Sequence, residues 1–212
     1  MSSLNTVRHL VILLLIVFVA YCSFSDGFSL FAFHPPLMLT GFLLLMTEAV
    51  MVFSNDRAFN QKITGKNRLD LHGTLQFGAG ICILLGFLSI KYSKAESNDE
   101  EEPSFHSNVG YTACLLTAGA FGGGTLARYG GLLKLPVKVI QIFHAIFGSF
   151  AYYLALNAIC SGLNSTWLLT IVSQNTIYGL MGVVIIIGIR TLYAPIFGVY
   201  GRVKRLFSKD KQ

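Results

Sequence analysis

The chain has 212 residues, 53% of them apolar and 12% charged, with a mean hydropathy of +0.62 and a net charge of +6. An average soluble domain carries roughly 25% charged residues, so this composition excludes a soluble globular domain and a disordered chain alike. It fits one compact membrane module, because a helix crosses a bilayer on about 20 apolar residues.

Asp, Glu, Lys and Arg are missing from 9–25, 27–47, 71–90, 103–127 and 139–189, and the last run is long enough for two helices. The first span falls at 9–25. Arg8 ahead of its apolar core and the small residues Ala20 and Cys22 toward its end also fit a cleaved signal peptide. The second span covers 29–53 and contains His34-Pro35-Pro36. Proline suits a first helical turn and the residue before it avoids helical angles, which places His34 at the helix start or at a kink. The third, fourth and fifth spans, 71–91, 105–127 and 140–162, carry His72, His106 and His144. The sixth is 167–189, parted from the fifth by the polar turn formers of 161–166.

Lipid offers backbone groups no partner, and unbroken apolar runs without alternation point to helices rather than a closed barrel. The expected fold class is therefore an all-α membrane protein with six transmembrane helices in a single domain, 1–212. Its four-helix core spans about 29–162, with flanking helices at 9–25 and 167–189 and a basic tail at 190–212.

Orientation follows from charge. Arg8, Arg57, Lys62, Lys66, Arg68, Arg128, Lys134, Lys138 and the six basic residues of the tail share one side, and only Lys91 and Lys94 lie on the other. Basic residues stay in the cytoplasm, so both termini are expected there. The acidic run 99–102 and the sequon at Asn164 fall on the opposite face. The basic residues are dispersed over several loops, which reads as membrane orientation and not nucleic-acid binding. The tail 202–211 could rest on anionic headgroups of the lipid bilayer or simply be solvated.

Alternate helices run in opposite directions. His34 and His106 therefore fall near the non-cytoplasmic face, and His72 and His144 near the cytoplasmic one. Both 34 to 106 and 72 to 144 are intervals of 72 residues, as if one helical hairpin were duplicated. A buried imidazole is costly in hydrocarbon and marks a functional candidate. Zinc wants three or four convergent ligands, whereas two imidazoles at each level suit the two axial positions of a haem iron. Since about 30 Å of hydrocarbon separates the faces, the pairs must be His34 with His106 and His72 with His144. That arrangement holds two haems stacked along the membrane normal. Gly73, Gly78, Gly80, Gly110, Gly119, Gly122, Gly123 and Gly124 on the third and fourth spans would let a macrocycle or a neighbouring helix approach.

The six-helix plan, the four histidines on the second to fifth spans, His34-Pro35, and Ser104-Phe105-His106-Ser107 together resemble the cytochrome b561 family over about residues 30–190. The stretch 46–54 and the small size are most similar to its small stand-alone type. The resemblance implies two haem b groups and a transmembrane reductase. Cytosolic ascorbate would be the donor, and monodehydroascorbate or ferric iron the acceptor on the other side. It also implies an endoplasmic reticulum or vesicle membrane; a homodimer is compatible with it. The chain departs from better-studied members in reading Phe53-Ser54 where they have Tyr-Arg, and Asn108 where they have Trp. Their basic ascorbate-binding residues are matched only loosely by Lys66 and Arg68.

Apart from the resemblance, Lys66, Arg68 and Lys138 precede His72 and His144 by six residues or fewer, a placement that suits an anionic donor as well as positive-inside orientation. Glu48, the acid inside a span, could pair with Arg128 or Arg190, accept protons or snorkel. Cys82 and Cys114 read as packing residues, while Cys22 and Cys160 approach the same face and could form a disulfide. A histidine-relay, proton-coupled transporter is the competing class, and it favours helices broken near the midplane in both halves. A haem-free scaffold leaves the 72-residue intervals unexplained.

Overall fold

The structure, a computed structural model, describes residues 3–54, 66–97 and 104–208. Six long helices follow one another: α1 (Ser3–Phe24), α2 (Leu30–Met51), α3 (Lys66–Ser97), α4 (Phe105–Tyr129), α5 (Val137–Leu163) and α6 (Gln174–Ser208). A one-turn helix, Thr166–Leu169, links the last two. The described residues contain no strand.

Five of the helices, α1, α2, α3, α5 and α6, are long and apolar enough to cross a membrane. The expected fourth span, α4, is helical over 25 residues, about 37 Å at 1.5 Å per residue. Its length suffices, but Ser107, Asn108, Thr112, Thr117 and five glycines dilute its apolar character.

Side-chain caps set several starts. The Ser29 hydroxyl accepts from the Ala32 N–H at 3.2 Å and starts α2, and the Ser104 hydroxyl accepts from the Ser107 N–H at 3.1 Å and starts α4. Between α1 and α2 the chain turns at Gly27, whose φ of +108° a side chain would resist. Because Ser29 caps the helix, α2 begins more than a turn before His34 and runs on through Pro35 and Pro36, so His34 is an interior residue and not the helix start.

Other boundaries also move. Helix α3 begins at Lys66, five residues before the expected span, which puts Lys66 and Arg68 on the helix itself. Helix α6 begins later than expected and continues to Ser208 through Pro195, so most of the anticipated tail is helical. Leu192, Tyr193, Ile196, Phe197, Val199, Tyr200 and Val203 recur at helical spacing there.

α2 with α3, and α4 with α5, form two antiparallel hairpins, and α6 lies along α5. Helix α1 packs as a member of the bundle: Ile12, Leu15, Val19 and Cys22 are buried at three- and four-residue spacing, while Leu13, Leu14, Val17 and Tyr21 face outward. The core joins Phe42, Leu43 and Met46 of α2 to Ile83 of α3, Tyr152 and Leu156 of α5, and Val184 of α6. The outward surface is itself apolar, with Ile185, Ile186 and Ile189 all exposed, as lipid contact requires. All four cysteines are free thiols, so Cys22 and Cys160 are not bridged.

Within α2, residues Leu39–Met46 adopt π-helical geometry. Helix α4 has no such segment. The departure is confined to one hairpin and leaves the helix continuous, unlike the paired midplane breaks of a transporter.

Candidate functional site

The four histidines meet in the two expected pairs. The ring centroids of His34 and His106 lie 6.1 Å apart with planes at 85°, and those of His72 and His144 lie 6.2 Å apart at 89°. Each pair joins the two hairpins, since His34 and His72 stand on α2 and α3 and their partners on α4 and α5. An imidazole nitrogen bonds a metal at about 2 Å and sits about 1.1 Å from its ring centroid, so two rings sharing one iron from opposite sides would have centroids about 6.2 Å apart. Both pairs fit that spacing.

Every one of these rings is oriented by a backbone carbonyl on its hairpin partner. The Nδ1–H of His34 donates to Gly86 at 2.9 Å, that of His72 to Ala49 at 2.8 Å, that of His106 to Ala158 at 2.9 Å and that of His144 to Ala120 at 2.9 Å. Donation from Nδ1 selects the tautomer whose Nε2 lone pair is available to a metal, and it raises the basicity of that nitrogen. Ser161 adds a hydroxyl 3.3 Å from His106 Nδ1.

The 72-residue interval extends to these acceptors with one exception. Gly86 and Ala158 are 72 apart, but Ala49 and Ala120 are 71 apart. Fifteen residues separate His34 from Ala49, and fourteen separate His106 from Ala120. The π segment absorbs the extra residue, because π turns take in one residue more than α turns. Either count spans about 21–22 Å at 1.5 Å per residue, which separates the two histidine pairs along the bundle.

Glycines shape two of the ring positions. A Cβ added at Gly162 would come 2.9 Å from His106 Cε1, and one at Gly124 would come 2.9 Å from His144 Cε1. Of the glycines expected to matter, Gly123 and Gly124 face a histidine and Gly78 packs on Leu45, whereas an added Cβ at Gly73, Gly80, Gly110, Gly119 or Gly122 meets no protein atom within 4 Å. Gly162 was outside the expected set because it lies at the end of the fifth span. The corresponding neighbour of His72 is the Phe53 ring, 5.1 Å between centroids.

Glu48 pairs with α1 rather than with Arg128. It is 3% exposed, and its Oε1 lies 2.8 Å from Arg8 Nη2 and 2.9 Å from His9 Nε2. The antiparallel packing of α1 on α2 brings the start of one helix level with the end of the other. Arg128 of α4 instead forms an ion pair with Asp70 of α3 and donates to the Tyr129 hydroxyl at 3.1 Å.

Of the expected donor-site residues, Arg68 is half-buried in the first turn of α3, Lys138 is exposed in the first turn of α5, and the Lys66 side chain lies outside the described residues. So do Arg57, Lys62 and the acidic run 99–102.

The fold and site thus define a class: a helical membrane bundle in which two hairpins present one imidazole each at two levels. A family model described as eukaryotic cytochrome b561 matches residues 33–169. The transmembrane reductase CYB561D2 of Bos taurus is 32% identical over 171 residues, covering 80% of this chain and 77% of that protein. Its counterpart in Homo sapiens is 33% identical over 160 residues, 75% of this chain and 72% of that protein. The probable transmembrane reductase CYB561D1 of Mus musculus is 30% identical over 160 residues, 75% and 69% respectively. The chain belongs to the cytochrome b561 family, a family of membrane electron-transfer proteins that bind haem b.

Proposed function

We propose that the chain binds two haem b groups, one between His34 and His106 and one between His72 and His144, and serves as a transmembrane reductase. In this reading, electrons pass from cytosolic ascorbate to monodehydroascorbate or ferric iron on the other side. The observation that carries the reading is the meeting of the histidines in two pairs, 6.1 and 6.2 Å between centroids, near opposite ends of one bundle. Bound there, haem b supplies one-electron redox chemistry at its iron.

The residues of the chain do the rest. Four carbonyls hold the imidazoles with Nε2 directed to the metal, and Gly124 and Gly162 leave room for the rings. A separation of about 21 Å along the helices suits one site near each membrane face, within reach of a donor on one side and an acceptor on the other. α4 crosses the membrane as the fourth of six spans, because it pairs along its length with α5 and carries one member of each site's scaffold, His106 near its start and Ala120 farther along. The distribution of basic residues puts both termini in the cytosol. Lys66, Arg68 and Lys138 then attract the anionic donor to the His72–His144 end.

A visible spectrum of the purified protein with and without dithionite, joined to a pyridine haemochrome assay, tests the reading. Two low-spin b-type haems per chain are expected, reducible by ascorbate. One haem or none in fully loaded protein overturns it.

A further inference from the structure

Residues 47, 48 and 49 are each tied to a different helix. The Thr47 hydroxyl lies 2.6 Å from the Tyr152 hydroxyl of α5, and Tyr152 is fully buried and also bonded to Thr191 of α6. Glu48 accepts from Arg8 of α1, and the Ala49 carbonyl accepts from His72 of α3. Arg8 and Glu48 are 6% and 3% exposed, a depth at which an ion pair inside a membrane bundle is expensive and calls for a function. His9 adds a second contact to the same carboxylate oxygen, and its Nδ1–H donates to the Asn5 carbonyl at 2.6 Å.

The counterpart of Ala49 in the other hairpin, Ala120, is flanked by Gly119 and Phe121, neither of which has an ionisable side chain. The residues next to Ala120 therefore supply no counterpart of the Glu48 brace. The π segment ends at Met46, directly before Thr47, and its additional residue sets the register in which Glu48 meets α1 while Ala49 meets α3.

We propose that the buried Arg8–Glu48 pair is a positioning device for the haem held by His72 and His144: it locks the 47–49 turn so that the Ala49 carbonyl stays on His72 Nδ1, and thereby sets the orientation and donor strength of that one ligand. Helix α1, which carries no ligand, acts on the site through this brace. The acceptor on the outer N–H of a metal-bound imidazole tunes its basicity, and the basicity of the ligating imidazole is one of the protein's controls on haem potential. Glu48→Gln weakens the carbonyl–imidazole bond and also leaves the Arg8 charge uncompensated. Both effects favour the reduced iron.

The inference rests on the di-haem reading, and the experiment separates the two. Redox titration and electron paramagnetic resonance of purified, fully loaded protein are compared for wild type, Glu48→Gln, Arg8→Met, Arg8→Lys and Tyr152→Phe. Glu48→Gln is expected to raise the potential of one haem and alter its low-spin signal, with the other haem and the count of two unchanged. Arg8→Met is expected to alter the same haem, and Arg8→Lys, which keeps a cation opposite Glu48, to return it toward wild type. If the charge variants fail to fold, the near-isosteric Tyr152→Phe releases Thr47, and with it the Thr191 contact, without removing a charge, and is expected to shift that same haem by a smaller amount. Two haems with wild-type potentials and signals in the folded variants, or equal shifts at both haems, overturn the positioning role while the di-haem reading stands. Fewer than two haems in wild type overturns the di-haem reading itself.

Discussion

Alanine at Gly162 or Gly124 is the sharpest test of the ring geometry. The new Cβ would sit 2.9 Å from Cε1 of His106 or His144, about 0.5 Å inside the roughly 3.4 Å at which ordinary carbon contacts begin. A metal–nitrogen bond of about 2 Å does not stretch by that amount, so the ring must tilt. The tilt pulls Nδ1 away from the Ala158 or Ala120 carbonyl, now at 2.9 Å in each case. Loss of such a partner costs about 10–100-fold in metal affinity, equivalent to about 1.4–2.7 kcal/mol. Gly162→Ala should therefore weaken the haem of the His34–His106 pair, and Gly124→Ala that of the His72–His144 pair. Gly179→Ala and Gly182→Ala on α6, where an added methyl meets no atom within 4 Å, are the controls. Haem content per chain and transfer of haem to apomyoglobin measure the effect. If both site variants keep two haems with wild-type spectra and transfer rates, the rings do not stand where the reasoning puts them.

Histidine replacements should group by level: His34→Ala and His106→Ala each abolish one spectral component, His72→Ala and His144→Ala the other, as read by redox titration. Removing one partner of the buried Arg8–Glu48 pair should lower stability by about 3–5 kcal/mol, checked by thermal inactivation in detergent. The triple variant Lys66→Ala, Arg68→Ala, Lys138→Ala should raise the half-saturating ascorbate concentration and flatten its dependence on ionic strength, with the dithionite-reduced spectrum unchanged. Cysteines placed at Ser104 and Leu132 in a variant lacking the native thiols should be labelled from opposite sides of the membrane if α4 crosses it; labelling from one side would refute α4 as a span.

The helices and the histidine pairs were legible because they rest on local and global regularities of the chain. Lipid forces backbone hydrogen bonds to close within a segment, so each long uncharged run reads directly as a helix. Alternation of helix direction then assigns His34 with His106 and His72 with His144 without any knowledge of packing. α4 was harder to classify by composition because its glycines and hydroxyls serve close approach and capping, at the expense of hydropathy.

The partners of individual side chains depended on how the helices rotate and slide against one another, which no local pattern encodes. Glu48 could face any cation at its level, and only the antiparallel seating of α1 on α2 gave it Arg8 and His9. The carbonyls that orient the rings belong to alanines and glycine with no sequence signature of their own, and the one-residue offset between Ala49 and Ala120 is absorbed by π geometry visible only in the folded backbone. The sequence by itself determined the membrane class, the number of helices and the levels at which the imidazoles lie, because those follow from hydrophobic length and helix rise. The tertiary structure decided which carbonyl, glycine or charge meets each imidazole, because a few ångströms of helix rotation separate a bonded partner from a distant one.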